Sequence, residues 1–237
     1  MKENYQKNAF TFATIVAFGG FVFGLDAALI SGTVNYIVSE FGLNDWQLGT
    51  AVSAPGLGVL VALPIAGYAA NALGRKNTLI VIAALYLISA LVSAFATSYE
   101  MLVAARFLGG LAFSSITLAA MYIGEIAPPK WRGKLVSMTQ INIVIGLSAA
   151  YFINYLIQHW TGSDAAWIAD WGIKTHTWRW MLGSEILFAL IWFLLLFLIP
   201  KSPSWLMYKG REAEAKQTLS KIYPADDINQ EIEEIKV

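Results

Sequence analysis

The sequence predicts an all-α, multi-pass membrane protein whose six transmembrane helices form one bundle. Three observations carry that prediction. Hydrophobic residues make up 57% of the 237-residue chain and charged residues 14%, with a mean hydropathy of +0.56, above what water-soluble domains show. Apolar stretches of about 20 residues, the length a helix needs to cross the hydrocarbon core, recur along the whole chain. Lysine and arginine return at alternate connections, the pattern that cytoplasmic loops impose.

The crossings are expected at residues 10–37, 47–70, 77–98, 101–125, 134–157 and 179–199. The first has a basic flank, Lys2 and Lys7, like a signal peptide. Its apolar run is too long for one and no small-residue cleavage site follows, so it reads as an uncleaved helix. The second contains Pro55, Gly56, Gly58 and Pro64, which fit a helix packed closely on other helices rather than a loop. The third follows Arg75 and Lys76, the fifth follows Lys130 and Arg132 and opens at Lys134, and the sixth is followed by Lys201, Lys209 and Arg211. All of these basic residues fall on the side of the N-terminus. The opposite connections carry Glu40, Asp45, Glu100, Asp164 and Asp170, with Lys174 the one clear lysine and Arg179 at a helix mouth. A cell-membrane location with both termini cytoplasmic is therefore expected.

The longest connection on the outer side, Gln158 to Trp178, is dense in tryptophan. It reads as an interfacial aromatic belt, with carbohydrate stacking as the alternative. His159 and His176 fall in this interval without ligand spacing, as in a solvated loop. Beyond a transmembrane bundle at 1–200, residues 201–237 are expected to form cytosolic amphipathic helices, the start of a linker. Asp227 and Gln230 have the spacing of a capping box, and Ile228, Ile232 and Ile235 form an apolar stripe. That stripe is expected to lack a partner inside the chain, so either the protein continues past Val237 or this face docks on another chain.

Net charge is zero and the pI about 6.7, which gives no basis for a nucleic-acid partner. The chain has no cysteine, which excludes disulfides, a thiol nucleophile and thiolate metal sites. With no cytosolic domain beyond the tail and no nucleophile–base or metal-ligand arrangement, no enzyme activity, metal or cofactor is expected. No ring of polar residues repeats at one depth, which disfavours a channel.

Asp26, Arg106 and Glu185 are the charges well inside the crossings, with Glu125 at the inner end of the fourth. Ionisable groups at depth are costly, so they face a cavity, pair, or both. At 1.5 Å per residue Asp26 lies roughly 24 Å from Phe10, while Arg106 and Glu185 lie roughly 8 and 9 Å in from the opposite side. The three thus share a layer of a ~30 Å core. Asp26 and Arg106 could pair, with Glu185 competing for the same arginine. Such a pair either only fixes helix packing or exchanges protons as the arginine partner comes and goes. Helices one to three and four to six also share a layout, each opening with a charged helix and carrying basic turns, GRK at 74–76 and KWRGK at 130–134. Three-plus-three inverted repeats of this kind occur in the six-helix halves of one transporter class.

Four motifs in order are specific enough to indicate a family: FGLDAALISG at 23–32, NALGRK at 71–76, RFLGG at 106–110 with EIAPPKWRG at 125–133, and PKSPSWL at 200–206. The chain resembles, over essentially its whole length, the N-terminal half of a sugar porter of the major facilitator superfamily. The resemblance implies proton coupling by Asp26 and Arg106, with Glu185 in the same network. It implies sugar binding by Gln140, with Phe23 as an apolar wall. Beside Gln140 stands Asn142, taken as a further candidate, and for Gln140 itself an interhelical hydrogen bond is the other reading. Asn71, Gly74, Arg75, Glu125 and Arg132 match a cytoplasmic gate that ties two halves together. The chain departs from the family pattern at Asn71, Ala72, Leu25 and Leu147, and Lys201 and Ser204 stand where Glu and Arg are usual. Members of the family have about twelve helices around one site. The implied partners are membrane lipid, a monosaccharide or related polyol, protons and a complementary C-terminal half. The implied function is proton-coupled secondary transport; the alternative is a non-transporting membrane protein, a sugar sensor or an inactive half that needs a partner chain.

Overall fold

The structure, a computed structural model, describes the backbone of residues 2–236 and the side chains of 5–235. The side chain of Lys2 and the whole of Val237 lie outside the described residues. Eleven helices follow one another among the described residues: α1 (Lys2–Phe41), α2 (Asp45–Leu73), α3 (Arg75–Ala94), α4 (Tyr99–Ala112), α5 (Ser115–Ile126), α6 (Pro129–Thr161), α7 (Ala166–Asp170), α8 (Thr177–Leu195), α9 (Pro203–Tyr208), α10 (Glu212–Leu219) and α11 (Ile228–Lys236). Six spans are long and apolar enough to cross a membrane: α1, α2, α3, α4 joined to α5, α6 and α8.

The starts of the crossings follow from local chemistry. Asn44 caps α2 in a capping box with Gln47, each side chain accepting the other's backbone N–H. Ser98 accepts the Met101 N–H to cap α4. Pro129 opens α6, where a missing N–H costs nothing.

The fourth crossing, expected as one continuous helix, is broken at Phe113 and Ser114. There the Phe113 N–H bonds back three residues to Gly110, and the Ser114 hydroxyl takes the Leu111 carbonyl. A serine competing for a backbone acceptor and a tightened turn together interrupt the ladder. The break places the Phe113 ring against Phe23 and Tyr86.

Packing repeats with a swap of order. α1 packs chiefly on α6, and α4 on α2. In both pairs glycine lets the backbones meet: a Cβ at Gly146 would strike the Phe21 carbonyl and lie 3.0 Å from the Leu25 nitrogen, and one at Gly110 would strike Pro55. If helices one to three correspond to four to six, the pair one–five becomes four–two, which is the relation of an inverted repeat. α3 and α8 pack on each other.

Two further expectations are corrected. The apolar stripe of α11 does have a partner inside the chain: Ile232 is buried, and Ile228 and Ile235 join the core that includes Leu219, Ile222 and Tyr223. The tail folds back because Ser220 to Asp227 forms a short run of turns that turns the stripe toward α9 and α10. The interval Gln158–Trp178 is not only loop. His159 lies within α6, stacked on Tyr155, and Ile168 and Ile173 build a small core with Ile157 and Met181.

Candidate functional site

Asp26 from α1, Arg106 from α4 and Glu185 from α8 converge in the bundle interior, each 3% exposed. Arg106 Nη1 donates to Asp26 Oδ1 at 2.5 Å and to the Asp26 carbonyl at 3.3 Å. Arg106 does not pair with Glu185, whose carboxyl instead lies beside that of Asp26. Asp26 Oδ2, Arg106 Nε and Glu185 Oε1 have no hydrogen-bond partner among the described residues. Two ionised carboxylates facing one guanidinium leave one negative charge uncompensated, and neither carboxylate can donate to the other. One proton on either carboxyl would cancel that charge and supply the missing donor.

The walls of this cluster were not legible as functional residues. A Cβ at Gly109 would lie 3.2 Å from Asp26 Oδ2 and 2.8 Å from Ser89 Oγ. Ser89 in turn donates to the Ala105 carbonyl at 2.8 Å, clamping α3 to α4 one residue before Arg106. The Tyr86 ring packs edge-on against Trp192, and its hydroxyl has no bond of good geometry although Asp26, Glu185 and Ser115 are near. Gly109 falls inside the RFLGG motif, but nothing in the local sequence sets Ser89 or Tyr86 apart from core; only the contact with a charged centre does.

Of the residues implied for sugar binding, Phe23 lies edge-on to Phe113 with ring centroids 4.5 Å apart, one turn from Asp26. Gln140 is exposed, and its amide makes no hydrogen bond among the described residues, so the interhelical bond is not formed. It heads an exposed stripe of α6 with Val144, Ser148, Tyr151 and Tyr155. Asn142 does not share that face. Two residues turn a helix by about 200°, and the Asn142 amide donates to the Met138 carbonyl of its own helix at 2.8 Å.

On the N-terminal side, four of the five residues matched to a gate by the resemblance form one network. Arg75 Nε donates to Glu125 Oε1 at 2.9 Å, and Arg75 Nη1 donates to the Ala70 carbonyl and to Asn71 Oδ1. Gly74, at φ 86° and ψ 156°, occupies a backbone region essentially confined to glycine, and a Cβ there would press on the Trp205 indole. Two further members come from the motif after the sixth crossing. The Ser202 hydroxyl donates to Glu125 Oε2 while accepting the Trp205 N–H as the cap of α9, and Trp205 Nε1 donates to the Asn71 carbonyl at 2.9 Å. Serine followed by proline at a helix start was the available signal for Ser202. Lys201, standing where the family pattern has glutamate, still approaches the tail, with Nζ 3.9 Å from Glu214.

Arg132 is not in that network. It is exposed and lines, with Glu125, Tyr223, Glu231 and Glu234, a cleft of about 670 Å³ between the bundle and the tail helices. Burial and the adjacent Glu234 push the Glu231 carboxyl above the ordinary value of 4.5, and burial also raises the Tyr223 hydroxyl. On the opposite side Glu40 accepts from Trp178 Nε1 and pairs with Arg179 at 2.9 Å, joining the outer ends of α1 and α8.

Comparison with known proteins fits this geometry. The chain is 35% identical over 219 residues to the arabinose-proton symporter of Bacillus subtilis, covering 92% of this chain and 46% of that protein. It is 33% identical over 265 residues to the D-xylose-proton symporter of Escherichia coli, covering all of this chain and 52% of that protein. The solved structure of the proton:xylose symporter XylE bound to 6-bromo-6-deoxy-D-glucose superposes with a TM-score of 0.88 at 32% identity, covering 97% of this chain and 53% of that one. The chain thus spans about half the length of the curated relatives it matches. The family described as "Sugar (and other) transporter" matches residues 12–237. A helical bundle with a buried Asp–Arg pair, related over its whole length to one half of these symporters, belongs to that family of major facilitator sugar porters.

Proposed function

We propose that this chain forms the N-terminal half of a secondary transporter that moves a monosaccharide or related polyol together with protons by alternating access. The observation that carries the reading is the buried cluster of Asp26, Arg106 and Glu185, in which two carboxyls share one cation. A proton entering the cluster weakens the hold of Arg106 on Asp26, and its departure restores it. If Arg106 is free only while the proton is bound, the return of the empty carrier and the transit of the loaded one become coupled.

Gln140 offers amide donors and acceptors to a polyol from the exposed face of α6, and Phe23 supplies an apolar surface nearer the proton cluster. A complementary half supplies the second wall of the cavity. Names of relatives support the substrate class: two are symporters for arabinose and xylose, and another is a probable inositol transporter. In this reading both termini are cytoplasmic, because the basic residues of the short loops gather on that side. Residues 1–200 are the transmembrane unit, and 201–237 begin the linker. Asn71, Gly74, Arg75 and Glu125, with Arg132 nearby, hold the cytoplasmic ends closed when the cavity opens outward.

Asp26→Asn keeps size and burial but removes the titratable group. In an assembly containing both halves it is expected to abolish accumulation of sugar against a gradient while leaving sugar binding and exchange intact. Undiminished accumulation by the variant would overturn the role of Asp26. Loss of binding as well as accumulation would favour a packing role for the pair.

A further inference from the structure

We propose that the groove between α1 and α6 on the N-terminal side of the membrane is a binding site for an anionic glycerophospholipid. Two adjoining cavities of about 380 and 350 Å³ share Phe10, Trp131 and Leu135, so they form one continuous groove. Lys7 lines one cavity and Lys134 the other, and among the described residues no acidic side chain lines either. Lys134 Nζ sits 4.9 Å above the Trp131 ring, which fixes an ammonium next to an indole at the polar end of the groove. Farther in, Met138 and the exposed Ile141 continue the surface as apolar, with Asn142, its amide turned to the Met138 carbonyl, beside them.

The occupant follows from where the groove faces. On α6 Trp131 and Gln140 are nine residues apart, about 180° round the helix. On α1 Phe10 and Asp26 are sixteen apart, about 160° round. The end of the groove at Phe10 and Trp131 therefore lies on the side turned away from both the proton cluster and Gln140, where hydrocarbon rather than a second protein half adjoins a membrane-spanning bundle. A ligand that is apolar along the groove and anionic at its mouth matches lipid of the nearer leaflet. Tryptophan and lysine at headgroup level are the side chains that anchor there. Two lysines with no counter-carboxylate among the described residues give the site its preference for a negative headgroup.

The test uses the full chain purified in mild detergent and exposed to equal amounts of phosphatidylglycerol and phosphatidylcholine, with bound lipid counted by native mass spectrometry. Selective retention of phosphatidylglycerol is expected. The double variant Lys7→Gln/Lys134→Gln is expected to lose affinity by about fivefold per lysine removed. The charge-matched control Lys174→Gln/Lys209→Gln, which alters lysines outside the groove, is expected to retain the lipid like the parent chain. Equal retention of both lipids, full retention by the groove variant, or an equal loss in the control would each overturn the proposal.

Discussion

Asp26 is held in place as much by what surrounds it as by its arginine. One carboxylate oxygen takes the guanidinium; the other points at the bare Cα side of Gly109 and has no donor among the described residues. Glycine is required there by space, since an added methyl would meet Ser89 Oγ at 2.8 Å and Asp26 Oδ2 at 3.2 Å. The Ser89 hydroxyl cannot swing away freely because it is bonded to the Ala105 carbonyl. Gly109→Ala is therefore expected to destabilise the chain by about 1–3 kcal/mol, the usual cost of overpacking, read as a fall in thermal midpoint in detergent. Adding Ser89→Ala removes the nearer obstacle, so the double variant is expected to recover part of that loss. If the second change gives no recovery, the collision with Ser89 is not the source of the cost. Phe23 and Gln140 show the other side of residue-level reasoning. The first touches the α4–α5 break, which local sequence did not announce, and the second faces outward with its amide free.

Elements were readable where their cause is local. Apolar length sets a crossing, whereas the caps at Asn44 and Ser98, equally local in cause, were not singled out in the sequence and emerge from the structure. Asp26 and Arg106 were equally readable, because a charge in an apolar helix is conspicuous and needs an answer. What could not be read depends on contacts between distant segments: the break at Phe113–Ser114, the recruitment of Ser202 and Trp205 to the Arg75–Glu125 pair, and the docking of α11. That docking has a pH dependence of definite sign. Burial and Glu234 raise the Glu231 carboxyl above 4.5, with Tyr223 and Arg132 opposing. A carboxyl whose value is raised on docking binds its proton more tightly docked than free. Docking is then favoured at low pH and weakened as pH rises from the free value of 4.5 through the docked one. Amide hydrogen exchange over α11, corrected for intrinsic rates, is expected to show more protection just above pH 4.5 than at pH 7.5. Glu231→Gln is expected to flatten that difference; if it persists unchanged, the titrating group lies elsewhere.

At the scale of the whole molecule the issue is which surface belongs to water, which to lipid and which to a partner. The bundle gives α6 two unlike sides. Gln140 heads a stripe with Ser148, Tyr151 and Tyr155, all exposed, whereas Asn142 lies about 200° away beside Met138. If a complementary half closes an aqueous cavity against the first side, a thiol there ionises and reacts with a water-soluble maleimide, while one on the second side stays in an apolar setting where the thiolate is disfavoured. The chain contains no cysteine, so single replacements report without background. In an assembly of both halves, Gln140→Cys is expected to label readily and Asn142→Cys slowly. Xylose or arabinose, the sugars named for two relatives, is expected to slow labelling at 140 and leave 142 unchanged. In the 237-residue chain reconstituted by itself, the Gln140 side meets lipid or detergent, so labelling at 140 is expected to drop and to lose its response to sugar. Similar rates at both positions in the assembly would mean that the Gln140 face lines no cavity. Sugar protection in the chain alone would mean that six helices already enclose a site. The two outcomes separate a wall awaiting its opposite from a binding surface complete in one bundle, and the geometry of α6 predicts the first.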